Sequence, residues 1–283
     1  MSAAPSPAVV VDIDTSPTRE SPPASAPLGL DGVVARALKE TMLALDARFC
    51  DMAEQHRWRD GTCVCLCLLI NSTLFTCNIG DCRAVQVHQP SPPLPLPHDQ
   101  PSELPISNSI PVPIPTPTPV VTALSVDHSP SRPDERARIE RAGGRVVWQD
   151  GDGYRVVPGG IAVSRAVGDY RAKGPRANSH SHTHTHTHTH TRKHTFGGAV
   201  LTAEPETTVT HLTPATRWIV VATDGVWQHA SVDAVARAVA ACTDCHAACR
   251  AVRAAALRAG SRDNIAVVTM APVFVATCTT AFM

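Results

Sequence analysis

The sequence has no surplus of charge of either sign: Lys+Arg and Asp+Glu each total 25 residues, for a formal net charge of zero. No net field draws it to nucleic acid or to an anionic membrane surface, so a small or protein substrate is the expectation. Long hydrophobic runs are also missing. The longest strongly apolar stretch, Cys63 to Ile70, falls far short of the roughly 20 residues that span a bilayer. Met1 to Val11 has no basic region ahead of an apolar one, as a secretory signal would. The chain therefore reads as soluble and unsecreted. Its ten cysteines sit largely in apolar patterns where small thiols pack, which points to a reducing compartment, cytosol or nucleus. Nothing in the composition demands more than a monomer.

Proline is plentiful, 25 residues, but it lies mostly outside the apolar stretches and shortens the length available for a core, so one domain is expected. Residues 1–28, rich in Ser, Pro and Ala, read as a disordered leader. The domain follows over 29–275, with a tail at 276–283. Val34, Leu38, Met42, Leu45 and Phe49 recur at helical spacing and predict one long amphipathic helix from Val33 to His56. The period then changes. Thr62 to Ile70, Leu74 to Asn78 and Arg83 to Val87 read as an antiparallel meander with Gly80-Asp81 in its second turn. Residues 88–122 hold two proline clusters and read as an inserted, extended loop. A capped helix starts at Ser131-Arg132-Pro133-Asp134 and stops at Gly143-Gly144. Strands are expected over Ile161–Val167, Trp218–Ala222 and Ile265–Met270, and a helical region broken near Thr243-Asp244 over Val232–Leu257. Strands and helices in blocks, rather than in βαβ alternation, favour an α+β fold with antiparallel sheets.

Three aspartates stand at strand ends: Asp169, Asp224 and Asp263. If their strands are neighbours in one sheet, the carboxylates converge at one rim, and hard oxygen donors so grouped suit Mg²⁺ or Mn²⁺. Aspartates in such places also cap turns, and spacing alone leaves both readings open.

Five ordered blocks bear on that choice. They are Cys77-Asn-Ile-Gly-Asp-Cys-Arg-Ala-Val85; Leu124-Ser-Val-Asp-His-Ser-Pro130 with Glu135, Arg138, Ile139 and Gly143-Gly144; Gly160-Ile-Ala-Val-Ser-Arg-Ala-Val-Gly-Asp169; Ala222-Thr-Asp-Gly-Val-Trp227; and Gly260-Ser-Arg-Asp-Asn-Ile-Ala-Val-Val268. Together they resemble the PPM-type metal-dependent protein serine/threonine phosphatases, also called the protein phosphatase 2C family. The resemblance implies a sandwich of two antiparallel β-sheets flanked by α-helices, with a two-metal Mg²⁺ or Mn²⁺ site at one end. It implies in-line attack on phosphoserine or phosphothreonine of phosphoprotein substrates by a metal-activated water. It also implies that Asp224 and Asp263 are ligands of one metal and that Asp169 serves a third, more weakly held ion.

The match is N-terminally incomplete. The family's phosphate-binding arginine and the D-G-H-G-G motif, with its bridging aspartate and acid histidine, are not found, so no catalytic residue is assigned. Val9-Val-Val-Asp-Ile-Asp14 is the nearest apolar run ending in carboxylates, but no Gly-His-Gly-Gly follows it. Two expectations result: a phosphatase of weak or no turnover as written, or a pseudophosphatase that binds protein partners. A third is a product too incomplete to fold stably, with sheet edges left unpaired. Gln228 stands where the family has an acidic residue, and Cys82 where it has serine. The His/Thr tract within the insert at 174–196 matches a translated CA repeat read as CAC-ACA, metal binding being the alternative. Cys242, Cys245 and Cys249 at i, i+3, i+7, and the alternating Cys63, Cys65 and Cys67, read as structural thiols rather than zinc ligands.

Overall fold

The computed structural model describes residues 29–88, 119–174 and 199–272. The leader, the tail, the His/Thr tract, Val9–Asp14 and most of the Pro-rich insert lie outside the described residues.

The elements in chain order are α1 (Leu30–His56), β1 (Gly61–Thr62), β2 (Val64–Ile70), β3 (Thr73–Ile79), β4 (Arg83–His88), β5 (Val121–Ala123) and α2 (Pro133–Arg141). After them come β6 (Arg145–Gln149), β7 (Gly153–Val157), β8 (Val167–Gly168), β9 (Glu206–His211) and β10 (Thr216–Ala222). The chain continues through α3 (Asp224–Trp227), α4 (Val232–Ala240), α5 (Cys245–Arg258) and β11 (Val267–Met270). Two antiparallel sheets result, one ordered β2-β3-β9 and the other β11-β10-β4-β5. The β6–β7 hairpin and the short β1–β8 pair stand beside them. No helix among the described residues is long and apolar enough to cross a membrane.

Period-two burial explains the layering. On β3, Cys77 and Ile79 pack with Met42 of α1, while Leu74 turns the other way to meet Ala84, Leu124 and Ile219 between the sheets. On β10, Ile219 faces that inter-sheet core, whereas Trp218, Val220 and Ala222 face Val235 and Val239 of α4 and Val252 of α5. The order is helix, sheet, sheet, helices. It is an α+β sandwich of two antiparallel sheets.

Three details differ from the sequence reading. The buried stripe of α1 runs through Met42, Asp46, Cys50 and Ala53, and Leu45 is half exposed. Asp46 takes the inward place because it accepts the Gly168 amide at 2.8 Å and pairs with Lys173 at 3.1 Å. Nor is Ile161–Val167 a strand. Its hydrogen bonds go to separate partners, Ile161 O to the Val156 amide, the Ser164 amide to His128 O and the Ala166 amide to Thr202 O, so no ladder forms before β8. The cysteines after α4 are also separated by a helix break. Cys242 donates to Ala238 O, Cys249 to Val267 O, and Cys245 is exposed at the start of α5.

A buried ion network joins α2, the 161–168 segment and β9. Glu135 is almost wholly enclosed and accepts from Arg165 at 2.7 Å and from Arg138 at 3.0 Å. Arg132 reaches Glu206 at 2.6 Å, and Glu206 also lies 3.4 Å from Nε2 of the fully buried His128. Burial alone would push the Glu135 carboxyl up, but the hydrogen bonds from Arg165 and Arg138 outweigh it and hold it down at about 2. His128 is lowered too, which for a base favours the neutral form: burial, then the nearby Arg165 charge, takes it from 6.5 to about 4.

Removing one partner of such a cluster leaves a buried charge uncompensated, so Glu135→Ala is expected to cost about 3–5 kcal/mol by urea unfolding. The acid limb of stability should have two parts. Between about pH 6.5 and about 4 the unfolded chain takes up a proton that folded His128 refuses, so stability falls as pH falls. Glu135, depressed in the fold, contributes above its ordinary 4.5 and its contribution is lost as pH falls from there toward about 2. A urea midpoint-versus-pH series should lose its upper segment in His128→Asn and keep the lower one.

Candidate metal centre

The register of one sheet gathers acidic side chains at a single rim. β10 and β11 are antiparallel neighbours with Ala222 opposite Val267, so Asp224, just past the end of β10, and Asp263, just before β11, meet on the same side. β4 lies along the other flank of β10 with Arg83 opposite Ala222, which brings the β3–β4 turn, and Asp81 with it, to that rim as well. The motif-by-motif reading did not single out Asp81. Its Gly-Asp turn after a buried strand was the available signal.

Local bonds fix the carboxylates. Asp224 opens α3, where its Oδ1 accepts the Gly225 amide and its Oδ2 accepts Gln228 Nε2, both at 2.9 Å. Gln228 thus supplies a neutral donor to Asp224. Asp263 Oδ1 accepts the Asn264 amide at 2.7 Å. The two loops are in near contact: a Cβ on Gly225 would lie 2.3 Å from Asn264 O, and Ser261 Oγ donates to Gly225 O at 2.6 Å. Arg83 is no counter-ion for the rim, because it forms a two-pronged pair with Asp127 at 2.9 and 2.8 Å while lying over the Trp227 ring.

The electrostatics follow. Burial first, then the charges of Asp81 and Asp263, push the Asp224 carboxyl above the usual range. Thiols beside the rim stay protonated at neutral pH. Cys82 is pushed up to about 11 by burial and by Asp81, Asp224 and Asp127, and Cys63, which donates to Asp81 Oδ1 at 3.2 Å, is raised further. The available donors are therefore carboxylate oxygens, mutually repelling and partly desolvated, and they fit a hard divalent cation. A groove of about 330 Å³ opens onto Asp81 and Asp224, walled by Trp227, Gln228 and the Trp148–Tyr154 pair of the β6–β7 hairpin.

Asp169 belongs to a different ladder, following β8, which pairs with β1 rather than with β10 or β11. Its carboxyl is raised by burial and by Asp60, against the opposing pull of Lys173, and its backbone is left-handed at φ 49°. The fold thus places Asp224, Asp263 and Asp81 on one rim, within electrostatic reach of one another, and sets Asp169 beside Asp60. Another acidic group, Asp134, Glu135 and Glu206, offers oxygens within 4.8 Å of one another. Each of those carboxylates already binds Arg132, Arg138 or Arg165, so a cation there would meet three guanidinium groups.

Asp81→Asn should let the Asp224 carboxyl titrate at lower pH, measurable by carbon-detected NMR. Gly225→Ala should force the Asn264 peptide aside and cost about 1–3 kcal/mol in urea unfolding.

Comparison with known proteins bears on the chemistry. The family model described as protein phosphatase 2C matches residues 21–265. Among curated proteins, probable protein phosphatase 2C 74 of Oryza sativa subsp. japonica is 30% identical over 250 residues, covering 88% of this chain and 48% of that protein. Protein phosphatase 2C 3 of Arabidopsis thaliana is 37% identical over 119 residues, 42% of this chain and 21% of that protein. The chain spans about half or less of the length of these relatives. Among solved structures, a serine-threonine phosphatase 2C from Toxoplasma gondii superposes with a TM-score of 0.56 at 20% identity, covering 84% of this chain and 66% of that one. That likeness speaks for the fold alone.

Proposed function

This chain belongs to the protein phosphatase 2C family, and from that premise we propose that its Asp81, Asp224 and Asp263 rim binds Mg²⁺ or Mn²⁺ and engages phosphoserine or phosphothreonine in protein substrates. The observation that carries the reading is the convergence of three carboxylates on one sheet rim beside an open groove, with Asp224 raised by burial and by its two neighbours. Mutual repulsion of that kind is relieved by a divalent cation. Bound there, the cation would neutralise charge on phosphoryl oxygens and acidify water. The chain's own residues do the positioning. Gly225 and Gln228 hold the two Asp224 oxygens, the Asn264 amide holds Asp263, and Trp227 with Gln228 walls the groove. Asp169, beside Asp60, is proposed as a weaker, separate cation position.

We infer further that turnover by these 283 residues is low, because they include no D-G-H-G-G segment and so no bridging aspartate or acid histidine of that type. The same observation favours a second reading, a phosphoprotein-binding pseudophosphatase. Two measurements separate these claims. Calorimetric Mn²⁺ titration should give binding that Asp224→Asn weakens at least tenfold; affinity unchanged in Asp224→Asn and in Asp263→Asn would overturn the rim assignment. A phosphothreonine peptide assayed with Mn²⁺ should be turned over at or near background. Robust turnover abolished by Asp224→Ala would overturn the claim of impairment and the pseudophosphatase reading with it.

A further inference from the structure

The segment Ser125–His128 clasps the β3–β4 turn at three points. Ser125 Oγ accepts the Ala84 amide at 2.9 Å, Asp127 takes the Arg83 guanidinium, and His128 Nδ1 accepts the Gly80 amide at 3.0 Å. His128 also closes the clasp from its main chain, its own amide donating to Gly80 O at 2.9 Å. Asn78 adds a second donor to that carbonyl at 3.2 Å and ties the same amide group to Val126 O. Gly80 needs this hold. Its φ of +101° lies outside the range ordinary residues adopt, and a Cβ there would lie 2.2 Å from the Cys63 sulfur. The next residue is Asp81.

We propose that His128 is a positioning residue for Asp81: by gripping both polar groups of the Gly80 peptide it sets where the Asp81 carboxylate stands, and so governs the divalent-cation affinity of the rim without touching the cation. The inference rests on the rim reading of the preceding section. Geometry makes His128 the joint between two systems. Its Nδ1 serves the Gly80 turn, while its Nε2 points to Glu206, the residue that Arg132 and Arg165 hold. Because Nδ1 accepts, the neutral ring carries its proton on Nε2, facing that carboxylate. A leucine of similar size would fill the pocket but strand the Gly80 amide.

Asparagine and glutamine distinguish positioning from mere filling. The Asn oxygen falls near the place of Nδ1, and the Gln oxygen falls near that of Nε2. Mn²⁺ affinity is measured by titration of wild type, His128→Asn, His128→Leu, His128→Gln and Asp224→Asn, at a temperature where circular dichroism confirms folding. Amide exchange of Gly80 is followed by NMR in the same samples. His128→Leu and His128→Gln should weaken Mn²⁺ binding about tenfold and accelerate Gly80 exchange, and His128→Asn should restore most of both. If the leucine variant does not fold, the contrast between asparagine and glutamine decides alone. Wild-type affinity in folded Leu and Gln variants, with binding lost in Asp224→Asn, overturns the positioning role only. Affinity unaffected by Asp224→Asn overturns the rim reading and this inference with it.

Discussion

A carboxylate buried as deeply as Glu135 has one way to remain charged, which is to be surrounded by donors. Arg138 from its own helix and Arg165 from a segment far along the chain meet that need, and Arg165 and Arg132 extend the same bonding to Glu206 on β9. Segments that are distant in sequence are thereby fixed against one another by directional bonds, where apolar contact alone would leave them free to slide. The network is costly to enclose and tolerates no missing member. Through Glu206 it reaches His128, whose ring accepts the Gly80 amide in the β3–β4 turn that leads to the acidic rim.

The rim itself is a product of register. Asp224 and Asp263 are separated by α3, α4, α5 and their connections, yet antiparallel pairing of β10 with β11 returns the chain to its starting edge. Pairing of β4 on the other flank of β10 brings the β3–β4 turn to the same edge. Three carboxylates reach one rim, near enough for Asp81 and Asp263 to raise Asp224, without any one element having been shaped for the purpose. Their mutual repulsion is borne by strands whose opposite faces are committed to Trp218, Val220 and Val85 in one core and to Ile219 and Ala84 in another.

Much of this was legible beforehand, and the physical reasons are particular. The long helix, the meander, the break near Thr243-Asp244 and the strands ending at Asp224 and following Asp263 all carry strong periodicity or punctuation. Convergence of Asp224 with Asp263 followed from those strand ends once the strands proved adjacent. The β6–β7 hairpin and β9 escaped notice. Glu-Thr-Thr-Val-Thr-His has one aliphatic side chain, and its place in the sheet comes from pairing with β3 rather than from its own pattern. Ile161–Val167 misled for the opposite reason: Ile161, Val163 and Val167 recur at strand-like spacing while the segment's hydrogen bonds scatter. Asp46 could not be read as buried from sequence, because its partners, the Gly168 amide and Lys173, lie more than a hundred residues away. Asp81 became a site residue only when β4 was seen to flank β10.

The pairing of β4 with β5 has a further consequence. Val87 stands opposite Val121 and the His88 amide donates to Val120 O at 2.9 Å, so the chain leaves and rejoins the sheet at one closed junction. That junction is at the end of β4 away from Arg83 and the acidic rim. Loop-closure entropy grows only with the logarithm of length, about 0.6 kcal/mol per doubling. Residues gained or lost between the two strands therefore leave both stability and carboxylate spacing nearly unchanged. A change of length in that stretch is thus taken up at the far end of β4, and the acidic rim at its near end does not register it.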